Sequence, residues 1–221
     1  MQPQIRKPPF YNTWHYKDRA PRPNSRPITI KVANSLDDLM QVFMIRSAVY
    51  MSEQSCPYRE EFDGNDFCGS HLIGYYGDEP ASSLRIRYFA DFAKLERLAV
   101  RKEYRRSRLA FDTVHAGIRL VQKKGYRRIY GHARDGLAGF WARFGAKEKR
   151  AGRSFVFSDH LYKEMIIDVP PGEDSITVDT DPYVIIRPEG QWEYPGVLEA
   201  SVLREHSNEP PAIQKGSVCG A

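Results

Sequence analysis

A mixed sheet of about seven strands flanked by helices, in the α/β to α+β range, is the fold class this chain predicts. Three observations carry it. Strand and helix signals follow one another in the order β-α-β-β-β-α-β-α-β-β between Ile28 and Asp168. Two of the strands meet at Gly77 and Asp78, a dipeptide suited to a two-residue hairpin turn. One long amphipathic stretch from Ser107 to Lys124 is closed by Gly125, a residue free to take the left-handed conformation that ends a helix.

Residues 1–27 carry Pro3, Pro8, Pro9, Pro21, Pro23 and Pro27, which forbids a continuous regular element and predicts an arm lying on a surface. The segment ITIKVA from Ile28 alternates as a strand. Ser35 is placed to cap a helix from Leu36 to about Tyr50, with Leu36, Leu39, Met40, Phe43 and Ala48 as its stripe. HLIGYYGDEPASSLRIRYF then supplies two strands and AKLERLAV a third, an antiparallel meander. Ser107 is the expected cap of the long helix, whose Ala110, Val114, Gly117, Ile118 and Val121 share one face. RRIYGHA reads as a strand, LAGFWARFG as a short helix ended by Gly145, and SFVFSDHLYKEMIIDV as two closing strands. These boundaries give an arm over 1–27, a domain over 28–170 and an extension over 171–221. In the extension, PYVIIRPEGQWEYPGVLEASVL suits one short strand and a helical turn, and the last dozen residues suit disorder.

Composition narrows the function classes. No apolar stretch approaches the ~18 residues of a membrane span, and the N-terminus has no apolar core of a secretory signal. Cys56, Cys68 and Cys219 have no paired spacing, which fits a reducing, cytoplasmic setting. The six histidines are scattered, so no metal site is expected. The net charge of +5 suits an anionic ligand.

LERLAVRKEYRRSRLAFDTVHAGIRLVQKKGYRRIYGHA is the most informative stretch. A strand ends at Val100, an arginine-rich turn follows, and a helix opens near Ser107. Unpaired amides at a helix N-terminus, beside Arg105, Arg106 and Arg108, make an anion site that a pyrophosphate suits; the alternative is a solvated basic turn.

This segment resembles the coenzyme-A-binding motif of the GNAT acyltransferases, strand, [QR]xxGx[GA], helix. The six positions here are Arg105, Arg106, Ser107, Arg108, Leu109 and Ala110; Arg105 and Ala110 match, and Arg108 stands where the family usually has glycine. The likeness covers residues 28–168. It implies acetyl-CoA or a longer acyl-CoA as donor, held by that turn and by the backbone of Leu98, Ala99 and Val100 on a fourth strand splayed from the fifth.

A second resemblance is to the acyl-homoserine-lactone synthases and N-acyl amino acid synthases of the same fold. Arg46 and Tyr50 fit their RxxxF with an aromatic swap, Glu61, Asp63 and Asp66 fit ExDxxD, Arg85 or Arg87 fits a third-strand arginine, and Arg97 fits the arginine of ExSR. Lys94 replaces that strand's glutamate and no tryptophan follows Arg46, so a lactone product is not expected. The resemblance implies that these charges order a lid and fix a small, amino-acid-like acceptor, with Trp141 beside it. It leaves acyl-carrier protein open as donor and a homodimer open as assembly.

Acyl transfer to an amine needs a base for the amine and a place for the developing oxyanion. Glu96, which simple alternation puts on one strand face with Leu98 and Val100, is the candidate base. Many GNAT enzymes place a tyrosine acid where this chain has Trp141. Phe140, Trp141 and Phe144 at helical spacing suit core packing, or the wall of an acyl tunnel. Two other readings stay open: a nucleic-acid binder or aminoacyl-tRNA acetyltransferase using the Arg101–Arg108 run with Lys123, Lys124, Arg127 and Arg128, and an inactive GNAT-like binding protein. Basic residues clustered at a helix N-terminus and at a strand entry, rather than along one exposed face with interleaved aromatics, make nucleic acid the weaker partner.

Overall fold

A computed structural model describes residues 26–170, 172–196 and 198–199. Residues 1–25 of the expected arm over 1–27, Cys219 and the expected disorder of the last dozen residues lie outside the described residues. The chain divides into two compact units, Met1–Thr180 and Asp181–Ala221.

The first unit runs β1 (Ile28–Val32), α1 (Leu36–Arg46), α2 (Tyr58–Glu61), β2 (Gly69–Tyr76), β3 (Glu79–Tyr88), β4 (Ala93–Val100), α3 (Leu109–Lys123), β5 (Arg128–Arg134), α4 (Ala138–Ala142), β6 (Lys147–Glu148), β7 (Ser154–Phe157) and β8 (His160–Asp168). The strands form one sheet in the order β1-β2-β3-β4-β5-β8-β6, with β7 also paired to β8. β4 and β5 run parallel and the other pairs antiparallel, so the sheet is mixed, as the element order predicts. The added strand, β6, has two residues, too few for a period-two pattern to register.

Local chemistry sets the ends of the elements. Ser35 caps α1 as expected, its hydroxyl accepting from the Asp38 amide at 3.2 Å. The helix then departs from expectation, because Ser47–Glu53 continues it as a π-helix rather than as α-helix to Tyr50. The wider turn lets the Tyr50 hydroxyl reach the Leu98 carbonyl on β4 at 2.6 Å. Helix α3 starts at Leu109, later than expected, yet Ser107 still serves its end: the hydroxyl accepts from the Leu109 amide at 3.2 Å and donates to the Tyr104 carbonyl at 2.6 Å. Gly77, at φ +65°, forms the expected two-residue turn between Tyr76 and Glu79.

The two long helices cover opposite faces of the sheet. On one, Val42, Ile45 and Val49 pack with Ile73 and Ala99; on the other, α3 brings Gly117 against Leu84, Ile86 and Leu95. Close approach is strictest at Gly74, where an added Cβ would fall 2.1 Å from Ser82 Oγ and 2.7 Å from Ile30 Cδ1. Gly74→Ala is therefore expected to destabilise the protein by about 1–3 kcal/mol, the usual cost of overpacking, read as a lower urea midpoint; an unchanged midpoint would show that β1 yields freely.

In the second unit α5 (Pro182–Ile185) is capped by Asp181, whose carboxylate accepts from the Tyr183 amide at 2.7 Å. Arg187 binds Glu199 and the Trp192 carbonyl. The helical turn matches expectation; among the described residues this segment holds no strand.

Candidate active site

Pairing between β4 and β5 covers Ala93 with Ile129, Lys94 with Tyr130 and Leu95 with Gly131, then stops. Beyond Leu95, β4 continues beside β3 while β5 continues beside β8, so the sheet opens into a V. One edge of β4 is left to offer backbone donors and acceptors to an extended, amide-bearing ligand.

A bulge falls at the same place. The β3–β4 register passes from Arg85 opposite Glu96 to Ser83 opposite Ala99, and Arg97 takes φ 57°. Two residues of β4 thus span one of β3, which inverts the alternation. The expectation that Glu96, Leu98 and Val100 share a face is corrected accordingly. Val100 stands opposite Ser82, whose hydroxyl meets Thr113 of α3 at 2.7 Å; Glu96 stands on the other face, bonded to Arg85.

The V holds a cleft of about 440 Å³. Tyr50, Gln54, Glu60 and Asp63 bound it on one side; Lys94 to Leu98 of β4 with His132 and Arg134 of β5 form its floor. Leu137, Phe140 and Trp141 around α4, with Phe155, Phe157 and Tyr162 of β7 and β8, form an aromatic wall. Of the residues singled out in the sequence, Tyr50, Asp63, Lys94, Glu96, Arg97, Leu98, Phe140 and Trp141 meet here. Arg46, Glu61 and Arg85 are fully buried, Asp66 nearly so, and Ala99 lies in the core beneath α1.

Those buried groups form one continuous ion network. Arg46 bonds the Glu61 and Asp66 carboxylates and the Glu61 carbonyl. Arg85 bonds Asp63 at 2.7 and 2.8 Å, Asp66 at 2.8 Å and Glu96 at 2.8 Å. Arg97 Nε lies 3.1 Å from Glu61 Oε2, close enough to pair in charge, while Nη2 donates to the Glu60 carbonyl at 2.6 Å. Lys94 closes the chain on Glu96 at 2.6 Å. Burial alone would push the Asp63 and Asp66 carboxyls up. The arginine hydrogen bonds and charges outweigh it and hold both below the usual carboxylate range. At Glu61 burial wins over Arg46 and Arg97, and its carboxyl is raised.

A second network fixes a histidine. The Arg153 amide, then Lys149 and Tyr130, hold the Glu164 carboxyl down at about 2, so it accepts hydrogen bonds only. Tyr130 gives its single hydroxyl proton to Glu164 at 2.7 Å and must accept from His132 Nε2 at 2.6 Å. His132 therefore carries its lone pair on Nδ1. Burial, aided by Lys94, lowers this imidazole to about 4, so it is neutral at pH 7. Neither Glu60 nor Arg134 was singled out in the sequence, although Tyr130, His132 and Arg134 share one face of β5 by the period of two.

At the other end of β4 lies the basic turn. Arg108 has φ −81°, ordinary right-handed backbone, so the position has no conformational need for the family's glycine. Arg105 folds back onto Glu53 at 2.6 Å and the Val100 carbonyl at 3.0 Å, and Arg108 pairs with Asp112 at 3.4 Å. Among the described residues, the amides of Arg106, Ala110 and Phe111 have no acceptor in the protein. Also among the described residues, no group of three or more His, Cys, Asp or Glu is placed to hold a metal ion, and no helix is long and apolar enough to cross a membrane.

The "Acetyltransferase (GNAT) family" profile matches residues 36–146, from the start of α1 to the end of the α4 turn. A presumptive acetyltransferase of Bacillus subtilis is 33% identical over 121 residues, 53% of this chain and 82% of that protein. Among solved structures, an acyl-CoA N-acyltransferase from Pseudomonas aeruginosa superposes with a TM-score of 0.58 at 18% identity, covering 63% of this chain and 99% of that one. FeeM, an N-acyl amino acid synthase from uncultured soil microbes, superposes at 0.56 with 9% identity, covering 65% and 92%. At these identities the structures speak for the fold alone, whereas the profile and the bacillar relative speak for descent. The chain that carries this splayed sheet and bulged strand is a member of the GNAT acetyltransferase family.

Proposed function

We propose that the protein transfers an acetyl or longer acyl group from an acyl thioester, coenzyme-A-bound or carried on acyl-carrier protein, to the amine of a small, amino-acid-like acceptor. The observation that carries this reading is the V between β4 and β5, which joins an unpaired strand edge to a cleft with one charged and one aromatic wall.

The donor's amide-bearing arm pairs with the β4 edge from Leu98 to Val100, and its diphosphate sits at the turn from Arg105 to Ala110. There the amides of Arg106, Ala110 and Phe111 and the helix dipole favour negative charge. Arg105 is engaged by Glu53, so the free amides and the helix end hold the diphosphate more than its guanidinium does. Leu137, Phe140 and Trp141 give an acyl chain an apolar path.

On the acceptor side, Asp63 and Arg97 line the cleft, and the buried Arg46, Glu61, Asp66 and Arg85 hold them in place. Glu96 takes the proton of the attacking amine, directly or through water. Arg85 occupies Oε1 and Lys94 occupies Oε2, and an ionised carboxylate has further lone pairs to offer. The amine then attacks the thioester carbonyl, the C–N bond forms, and the C–S bond breaks. Trp141 has no titratable proton, so solvent protonates the departing thiolate. The acidic motif over Glu61, Asp63 and Asp66 aligns the protein with the N-acyl amino acid synthases more than with acetylases of macromolecules.

A nucleic-acid role has less support, because the basic run is locally neutralised: Arg101 pairs with Glu79 and Glu103, Arg105 with Glu53, Arg108 with Asp112, and Lys123 with Asp174. Thermal-shift titration with acetyl- and long-chain acyl-CoA, followed by mass spectrometry of amine mixtures incubated with each thioester, tests the reading. Stabilisation by a thioester with a new N-acyl product is expected. Stabilisation by RNA alone would replace the reading with the nucleic-acid one, and thioester binding without any product would leave a binding protein.

A further inference from the structure

Two charges in the cleft lack the partner that its other charges have. Lys94 rests on Glu96, and Arg97 on Glu61 and Asp63. Arg134, the last residue of β5, lines the same cleft and makes no ion pair or side-chain hydrogen bond among the described residues. Glu60, the neighbour of Glu61 on α2, also lines it, and its Oε2 is withdrawn from solvent with no hydrogen-bond partner. A shielded carboxylate oxygen without a donor is costly to keep, and so is a cation in a cleft without an acceptor. The second cost vanishes if a ligand brings an anion to Arg134, and the Glu60 carboxylate, which lines the same cleft, offers the opposite pole for that ligand's cation.

We infer that Glu60 and Arg134 are the two poles of a site for a free α-amino acid, the ammonium on Glu60 and the carboxylate on Arg134. This rests on the acyltransferase reading and narrows its acceptor. The planar guanidinium fork matches a carboxylate in two parallel hydrogen bonds, which a simple amine substrate could not use. The Tyr162 hydroxyl, which donates to no protein group among the described residues, lines the same cleft and can add a third bond to that carboxylate. Phe155 and Phe157 beside it suit an apolar or aromatic side chain. In the transfer, the ammonium first loses one proton to solvent, the free amine bonds the acyl carbon and gives its second proton to Glu96, and the C–S bond breaks to release a thiolate that water protonates. The N-acyl product has lost its positive charge, so Glu60 no longer holds it.

The test compares acetylation of L-phenylalanine, L-phenylalaninamide and phenethylamine by the full-length protein and by Arg134→Gln and Glu60→Gln. The protein should favour the free amino acid over its amide by about 10- to 100-fold in kcat/KM, the worth of charge-assisted hydrogen bonds. Arg134→Gln should shrink that ratio to within about threefold of unity, chiefly through KM for the amino acid, whereas Glu60→Gln should raise KM for all three amines. Where Arg134→Gln fails to fold, Arg134→Lys keeps the charge without the fork, and the preference should fall without vanishing. Equal rates on the three amines in the unaltered protein, or a preference that survives Arg134→Gln, overturn the site while leaving acyl transfer standing. If none of the three is acetylated, the enzymatic reading has failed for these amines, and calorimetric titration of L-phenylalanine decides the site alone: binding lost in Arg134→Gln upholds it, and binding to both proteins or to neither overturns it.

Discussion

Replacing Arg85 by methionine should destabilise the protein by about 3–5 kcal/mol at pH 7, the cost of leaving buried charge without its partner. Arg85 is fully buried and bonds three carboxylates, so its loss takes one cationic partner from Asp63, Asp66 and Glu96 at once and leaves them to Arg97, Arg46 and Lys94. The effect should depend on pH. Asp63 and Asp66 are held below the ordinary range in the folded protein, so the stability they contribute is present above their unfolded value of about 3.9 and lost as pH falls through the lower folded values. Glu61, raised by burial, works in the opposite sense: its contribution is present at low pH and lost as pH rises through its folded value. Urea unfolding at pH 7 and pH 3 should therefore show the Arg85→Met deficit shrinking in acid. A deficit below about 1 kcal/mol at pH 7 would mean that the network is no more than a surface-like cluster of weak pairs.

Glu96→Gln should lower kcat by about 10²-fold or more, within the range general base catalysis supplies, with KM for the acyl donor near normal. Glutamine keeps an oxygen for Arg85 Nε but loses the charge that pairs with Lys94, so the wall should stand with a modest fall in the thermal midpoint. Unchanged turnover would remove Glu96 from the chemistry. Should His132→Gln then abolish turnover, the proton acceptor is the Nδ1 lone pair that Tyr130 and Glu164 hold in place. An imidazole at about 4 would leave the rate flat between pH 5 and 8.

Much of the scaffold was legible because its signals are local. The α3 helix and its stop at Gly125, the Ser35 cap and the Gly77 turn each depend on residues within a few positions of one another, although of the expected α3 stripe only Val114, Gly117 and Val121 are buried. The added residue at Arg97 was not legible. A bulge has no sequence signature of its own, and it reverses the face of everything after it, which is why the pairing of Glu96 with Val100 failed. The π-helix after Arg46 was hidden for the same reason: the chain there still reads as helix, and only the contact of Tyr50 with β4 reveals the wider turn.

The charged residues divide along the same line. Arg46, Glu61, Asp63, Asp66, Arg85 and Arg97 stood out by spacing and by family likeness, yet spacing could not say which are sealed in the protein and which meet the cleft. Glu60 was passed over beside Glu61 in the run REEFD because neighbours on a helix point different ways, and direction is set by what the helix packs on.

Periodicity and turn chemistry by themselves determined a mixed sheet with covering helices, and the likeness of the Arg105–Ala110 turn to a family motif added an acyltransferase lineage. Tertiary structure alone decided where the sheet parts, which way β4 turns its side chains, and which two charges remain without partners. Those features come from one strand's register against another and from burial, both set between segments distant in sequence, and no local pattern encodes them.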